Sequence, residues 1–219
     1  MPKLDVGAEV SAKKAFAWAV DWPGWCRAGK DLDLAIDALL AARARYAKVA
    51  RRAGLDLPQV DGGDLRVVET VEGGGGTEFG VPSSITDLDR RRLAEADSAR
   101  LARLVEAAWV IFDRVAARSP AELRKGPRGG GRDRDKMIGH VIEADHAYAR
   151  EIGVRVPTPS FEDRAAVDAE RAAMLEVLRQ PSSGSPLAGR TWTARYAARR
   201  IAWHALDHAW EIEDRIEPR

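Results

Sequence analysis

Apolar residues change their period partway along this chain. Before about residue 85 strand-like alternation and one helical stretch are mixed, and from Ile85 onward every periodic segment has helical spacing. Residues 7–20, GAEVSAKKAFAWAV, mix alternation with aromatics and predict a strand or hairpin, followed by a turn at DWPGW. In DLDLAIDALLAARARYAKVARRAG, Leu32, Ile36, Leu39, Leu40 and Val49 fall at helical spacing, with Asp31 as cap and Gly54 as stop. That pattern predicts one amphipathic helix. DLRVVETVE reads as a further strand and GGGGTEFGVPSS as a flexible connection carrying the domain boundary. The glycines Gly73 to Gly76 lack the Gly-Lys-Ser/Thr ending of a phosphate loop and read as a linker or hairpin tip.

The second part predicts four helices. The first begins at Thr86 and carries Leu93, Leu101, Leu104, Ala108 and Phe112. After the loop SPAELRKGPRGGGRD, RDKMIGHVIEADHAYAREIG forms the second, ended by Gly153. SFEDRAAVDAERAAMLEVLRQ is the third, opened by Ser160 with Asp163 three residues on. Beyond the loop PSSGSPLAG, the fourth runs from Thr193 to Ile216 without Gly or Pro, with Thr191 or Thr193 as cap and Pro218 at its exit. The expected fold class is therefore α+β: a small α/β module over residues 1–80, then an all-α four-helix bundle over 85–219.

Composition narrows the function classes. With 219 residues, 45% hydrophobic and 32% charged, the chain reads as an ordinary globular protein. A net charge of +1 lacks the basic footprint of a nucleic-acid binder. No stretch approaches the apolar length of a membrane span, and the opening MPKLDVGAEV lacks a signal-peptide core, so the expected location is cytoplasmic. One cysteine, Cys26, excludes an intramolecular disulfide and a thiolate metal cluster, and is read as structural.

Histidines carry the candidate chemistry. His204 and His208 stand four residues apart on the last helix, one turn from each other, on the side shared by Ala197, Ile201 and Ile212. One inward histidine is usually a hydrogen-bonded core residue, so a third ligand has to decide for a metal. On the second helix, Met137, Val141, Ala144 and Tyr148 place the apolar arc beside His140, whereas His146 points roughly 120° away, toward water. His140, His204 and His208 thus form the candidate ligand set. Three imidazoles leave a coordination position open, as in a catalytic zinc site. Zn²⁺ is the default, and Ni²⁺ and Fe²⁺ also accept imidazole. Ala205 follows His204, so no glutamate stands as the general base of a zinc protease.

Two resemblances bear on this reading. GHVIEADHAYAREIG together with AWHALDHAWEIEDR is similar to the DinB-like (YfiT-like) metalloenzyme superfamily, over residues 85 to the end. That resemblance implies a four-helix bundle, one divalent metal on His140, His204 and His208, and a transferase or isomerase activity that uses a low-molecular-weight thiol of the mycothiol or bacillithiol type. The N-terminal segment resembles the HicB-like antitoxin fold through Asp21, Pro23, Gly24, Gly29 and Asp31, in the order strand, turn, helix. It implies an alternative, non-enzymatic reading in which the module recognises a protein and the bundle is a metal-stabilised scaffold.

Weaker candidates surround the triad. Arg128, Arg132 and Arg134 precede the second helix, whose N-terminal amides favour an anion. Glu143, one turn beyond His140, and Asp207, beside His208, are candidate hydrogen-bond supports of the ligands or plain surface charges. Trp203 and Trp210 are read as core. No residue is singled out as the catalytic acid, base or nucleophile. The expected partner is a small-molecule substrate, with no nucleic acid and no membrane, in a protein able to pair as a homodimer.

Overall fold

A computed structural model describes residues 3–125 and 131–216. Leu4–Val10 (β1) and Ala15–Ala19 (β2) pair antiparallel, Val6 opposite Ala19 and Val10 opposite Ala15. Cys26–Gly29 (β3) joins β2 antiparallel, and Leu65–Glu72 (β4) pairs in parallel with β1, giving the order β3-β2-β1-β4. The sequence reading passed over β3, because four residues, CRAG, are too short to show a period. A parallel pair needs a crossover. Leu32–Ala41 (α1) and Arg43–Arg52 (α2) supply it.

The expected single helix over 31–54 is therefore two, broken at Ala42, whose backbone stays right-handed (φ −75°, ψ −7°). Its ends are as expected: Asp31 accepts the Leu34 amide at 2.9 Å, and Gly54 (φ +69°) follows α2. The DWPGW turn ties this crossover to the sheet. Trp25 stacks on Tyr46 and donates to the Leu39 carbonyl at 2.7 Å, while the Tyr46 hydroxyl donates to the Pro23 carbonyl at 2.8 Å. Gly24 sits at φ +89°, and a Cβ there would lie 2.6 Å from the Leu206 side chain. Position and conformation both demand glycine.

The glycine-rich connection is also more ordered than its composition suggests. Gly75–Phe79 (α3) is a short helix inside it. Glu9, fully buried in β1, accepts from the Thr77 hydroxyl and from the Ser83 and Ser84 amides at 3.3 and 2.9 Å. A buried carboxylate needs donors, and this segment provides them.

Four longer helices follow: Glu95–Arg118 (α4), Arg134–Glu151 (α5), Arg164–Leu178 (α6) and Ala194–Ile216 (α7). α4 packs on α7 and α6, and α5 packs on the same two. α4 starts nine residues later than the sequence suggested. Residues Leu88–Arg90 form a 3₁₀ turn instead, because the Asp89 carboxylate accepts from Thr86 N at 3.0 Å and is bound by Arg199 from α7. α6 is capped by Asp163, which accepts the Ala166 amide at 3.0 Å, and not by Ser160. α7 is capped as expected, with Thr193 Oγ1 accepting the Tyr196 amide at 3.3 Å. Pro218 lies outside the described residues.

One apolar core runs through both parts of the chain. It joins Val6, Trp25, Leu39 and Tyr46 to Leu104, Phe112, Met137, Met174, Ile201 and Leu206. The other face of the sheet buries Phe16, Trp18 and Cys26 against Trp203 of α7. Helix α7 is thus shared by the sheet and the other long helices, and its register fixes where its histidines stand. No helix among the described residues is long and apolar enough to cross a membrane.

Candidate metal centre

His140 of α5 meets His204 and His208 of α7, and one ring nitrogen from each lies within 4.8 Å of the other two. The Nε2 atoms of His140 and His204 are 3.2 Å apart. Two nitrogens each about 2.1 Å from one tetrahedral ion would be separated by roughly 3.4 Å, so this spacing suits a shared cation. Ring centroids lie 4.6 to 5.0 Å apart. The helical patterning that put these three residues on inward faces is matched by where the structure brings them.

Electrostatics keeps two of the rings neutral. Burial, then the neighbouring His208 and Arg132, push His140 down to about 4. Burial, with His208, Arg200 and His140 around it, pushes His204 well below the ordinary histidine value. A neutral imidazole offers the lone pair a metal requires. His208 is oriented by a residue the sequence reading did not single out: its Nδ1 lies 3.0 Å from the Glu211 carboxylate, leaving Nε2 to face the triad. Burial works against the Glu211 charge, yet the His208 hydrogen bond and Arg215 hold its pKa below the usual carboxylate value. The available signal was position: Glu211 is three residues beyond His208 on a helix already assigned. Glu211→Ala is expected to weaken metal binding about 10- to 100-fold, measured by competition with a chelator, while the fold persists.

The other candidates are placed differently. Asp207 turns toward the sheet and accepts from Arg27 of β3 at 3.1 Å, so it joins α7 to β3 and does not support a ligand. Glu143 is exposed; with Arg132, Lys136, Gly139 and Phe161 it lines a cleft beside His140 and makes no hydrogen bond to a histidine. Arg132 is exposed, its carbonyl accepting from Arg215 at 2.7 Å. Arg134 pairs with Asp135 at 2.7 Å, so acidic side chains already stand at the start of α5. Arg128 lies outside the described residues. Trp203 and Trp210 are buried, in line with the core reading.

His146 stays out of the triad, but it does not face water. Its Nδ1 lies 2.6 Å from Glu170 of α6, a residue 2% exposed, and its Nε2 lies 3.1 Å from Thr158. Helix α5 has two packed neighbours, so the direction away from α7 is the direction of α6. His146→Ala should retain metal yet lose about 1–3 kcal/mol of stability in urea unfolding, because the buried Glu170 carboxylate is left short of a donor.

No family model, curated protein or solved structure matches this chain. The functional reading therefore rests on the site.

Proposed function

We propose that this protein is a metal-dependent enzyme of the DinB-like type, a transferase that joins a low-molecular-weight thiol to a small electrophile. One observation carries the reading: three imidazoles from two helices converge, and no carboxylate or thiolate among the described residues completes the set. A structural zinc site would usually be closed by a fourth protein ligand. Packing of α4 through α7 supports the four-helix bundle that this reading calls for, and β2 leading into the Asp21–Gly24 turn, with α1 opening at Asp31 after β3, supports the HicB-like module in front of it.

The chain's own residues supply the rest. His140, His204 and His208 would hold the ion, Zn²⁺ by donor type. When bound, the ion supplies Lewis acidity, which lowers the pKa of a coordinated thiol. Glu211 fixes the His208 ring, and Tyr148 and Trp203 place aromatic rings 5.6 and 6.1 Å from the His204 ring, limiting water around it. With 1-chloro-2,4-dinitrobenzene as probe, a sulfur–carbon bond forms as the carbon–chlorine bond breaks, and proton and chloride leave to solvent.

The test compares metal-loaded protein with His208→Ala in that conjugation, across several thiols. Turnover that needs both metal and thiol is expected, about 100-fold or more above the variant, since losing a ligand should cost more than losing a residue that only supports one. A rate equal in the two proteins rules the transferase out.

A further inference from the structure

Beside the triad lies a set of polar groups with no role in holding a metal. Arg200 stands one turn before His204 on α7. Its guanidinium carbon is 5.4 Å from the centroid of the Tyr148 ring and 4.7 Å from that of Trp203, and both rings also meet His204. Two aromatic faces hold the cation in place. Other arginines of α7 are committed: Arg195 to Asp21, Arg199 to Asp89, Arg215 to Glu211. Arg200 forms no ion pair with any described carboxylate, and its Nη1 is buried without a hydrogen-bond partner.

One further buried atom beside it shares that condition. Trp203 is 4% exposed and its Nε1 has no acceptor. Buried polar atoms are normally satisfied, so two donors without acceptors on adjoining side chains next to His204 leave a place for an acceptor from a solute. Arg200 keeps partial exposure, which puts it within reach of a solute. A guanidinium held by rings presents a planar donor fork, matched by the two oxygens of a carboxylate.

We propose that Arg200 anchors a carboxylate on the small molecule that occupies the His140–His204–His208 site, so that one of the two substrates is a short carboxylic acid. This rests on the metal reading above. Arg200 is then a binding residue, one helical turn before His204 and apart from the reacting atoms.

Cobalt(II) as the loaded ion gives a readout independent of turnover, the sulfur-to-cobalt charge-transfer absorption. Full-length protein is titrated with 3-mercaptopropionate and with 2-mercaptoethanol, thiols that differ in the carboxylate. Wild type should bind the acid about 10- to 100-fold more tightly, Arg200→Met should lose that preference with its cobalt retained, and Arg200→Lys should keep part of it. Arg200→Gln is the second variant if methionine disturbs the fold. A preference of this kind assigns the carboxylate to the thiol. If the two thiols bind alike but succinate perturbs the cobalt spectrum in wild type and not in Arg200→Met, the carboxylate belongs to the electrophile. Neither effect, or the same effect in Arg200→Met, overturns the anchor while leaving the metal site standing. Wild type that takes up no cobalt overturns the metal reading and the anchor with it.

Discussion

Asp89→Ala is expected to cost about 3–5 kcal/mol of folding stability, a large share of the roughly 5–15 kcal/mol that holds an ordinary domain together. Asp89 and Arg199 are each 4% exposed, and two hydrogen bonds of 2.6 and 3.2 Å join them. The Arg199 guanidinium lies 4.2 Å from the Trp18 ring on one face of the sheet and donates to the Ser84 carbonyl at 3.0 Å. Removing Asp89 leaves that cation buried with no counter-charge, which costs more than the intact pair contributes. The same carboxylate holds the Thr86–Arg90 turn, so its loss also frees the segment that leads into α4. Urea unfolding should show a fall in midpoint without a change of slope. Asp87→Ala, two residues away with its side chain 95% exposed, should stay within about 0.5 kcal/mol of wild type. A similar small effect from Asp89→Ala would mean that the buried pair does not anchor α7.

That pair also explains where sequence reading stops. In TDLDRRRLAE the acid at position 89 looks like a favourable residue in the first turn of a helix. Its partner lies 110 residues away, at a position on α7 that reads as one more arginine in an Arg-rich stretch. Periodicity reports which face of an element is apolar, not which charge is called inward by a charge elsewhere. For that reason His140, His204, His208, the Thr193 cap and the Gly54 stop were legible, each being local or set by a helical face. The late start of α4, the link from Asp207 to Arg27 and the lack of a described carboxylate beside Arg200 were not. His146 shows the same limit from another side. One apolar arc was assigned to α5, whereas the helix touches both α6 and α7 and has two inward directions. Glu211 needed only the step of asking which carboxylate sits three or four residues from each histidine.

His204→Ala is the second large effect. The ring is the most enclosed of the three, 6% exposed, with its Nε2 turned to His140 and the Tyr148 and Trp203 rings on its flanks. Loss of a residue that merely supports a ligand costs about 10- to 100-fold in metal affinity, and loss of a ligand should exceed that. Elemental analysis after dialysis should find about one zinc per wild-type chain and less than about a tenth in His140→Ala, His204→Ala or His208→Ala, with His146→Ala remaining loaded. Stability provides an independent reading. Zinc at about 100 times its dissociation constant should raise wild-type stability by about 2.7 kcal/mol and leave His204→Ala where it was. Without metal, the sign of the pH dependence follows from the depressed histidines. An unfolded imidazole takes its proton near 6.5, whereas folded His140 does so only near 4 and burial holds folded His204 well below the ordinary histidine value. Between those values the unfolded chain binds more protons than the folded one, so metal-free protein should lose stability as pH falls from about 6.5 toward 4. His204→Ala should lose less over the same window, since one of the two proton-refusing groups is gone. Equal pH profiles in the two proteins, or zinc that stabilises His204→Ala as much as wild type, would remove His204 from the site.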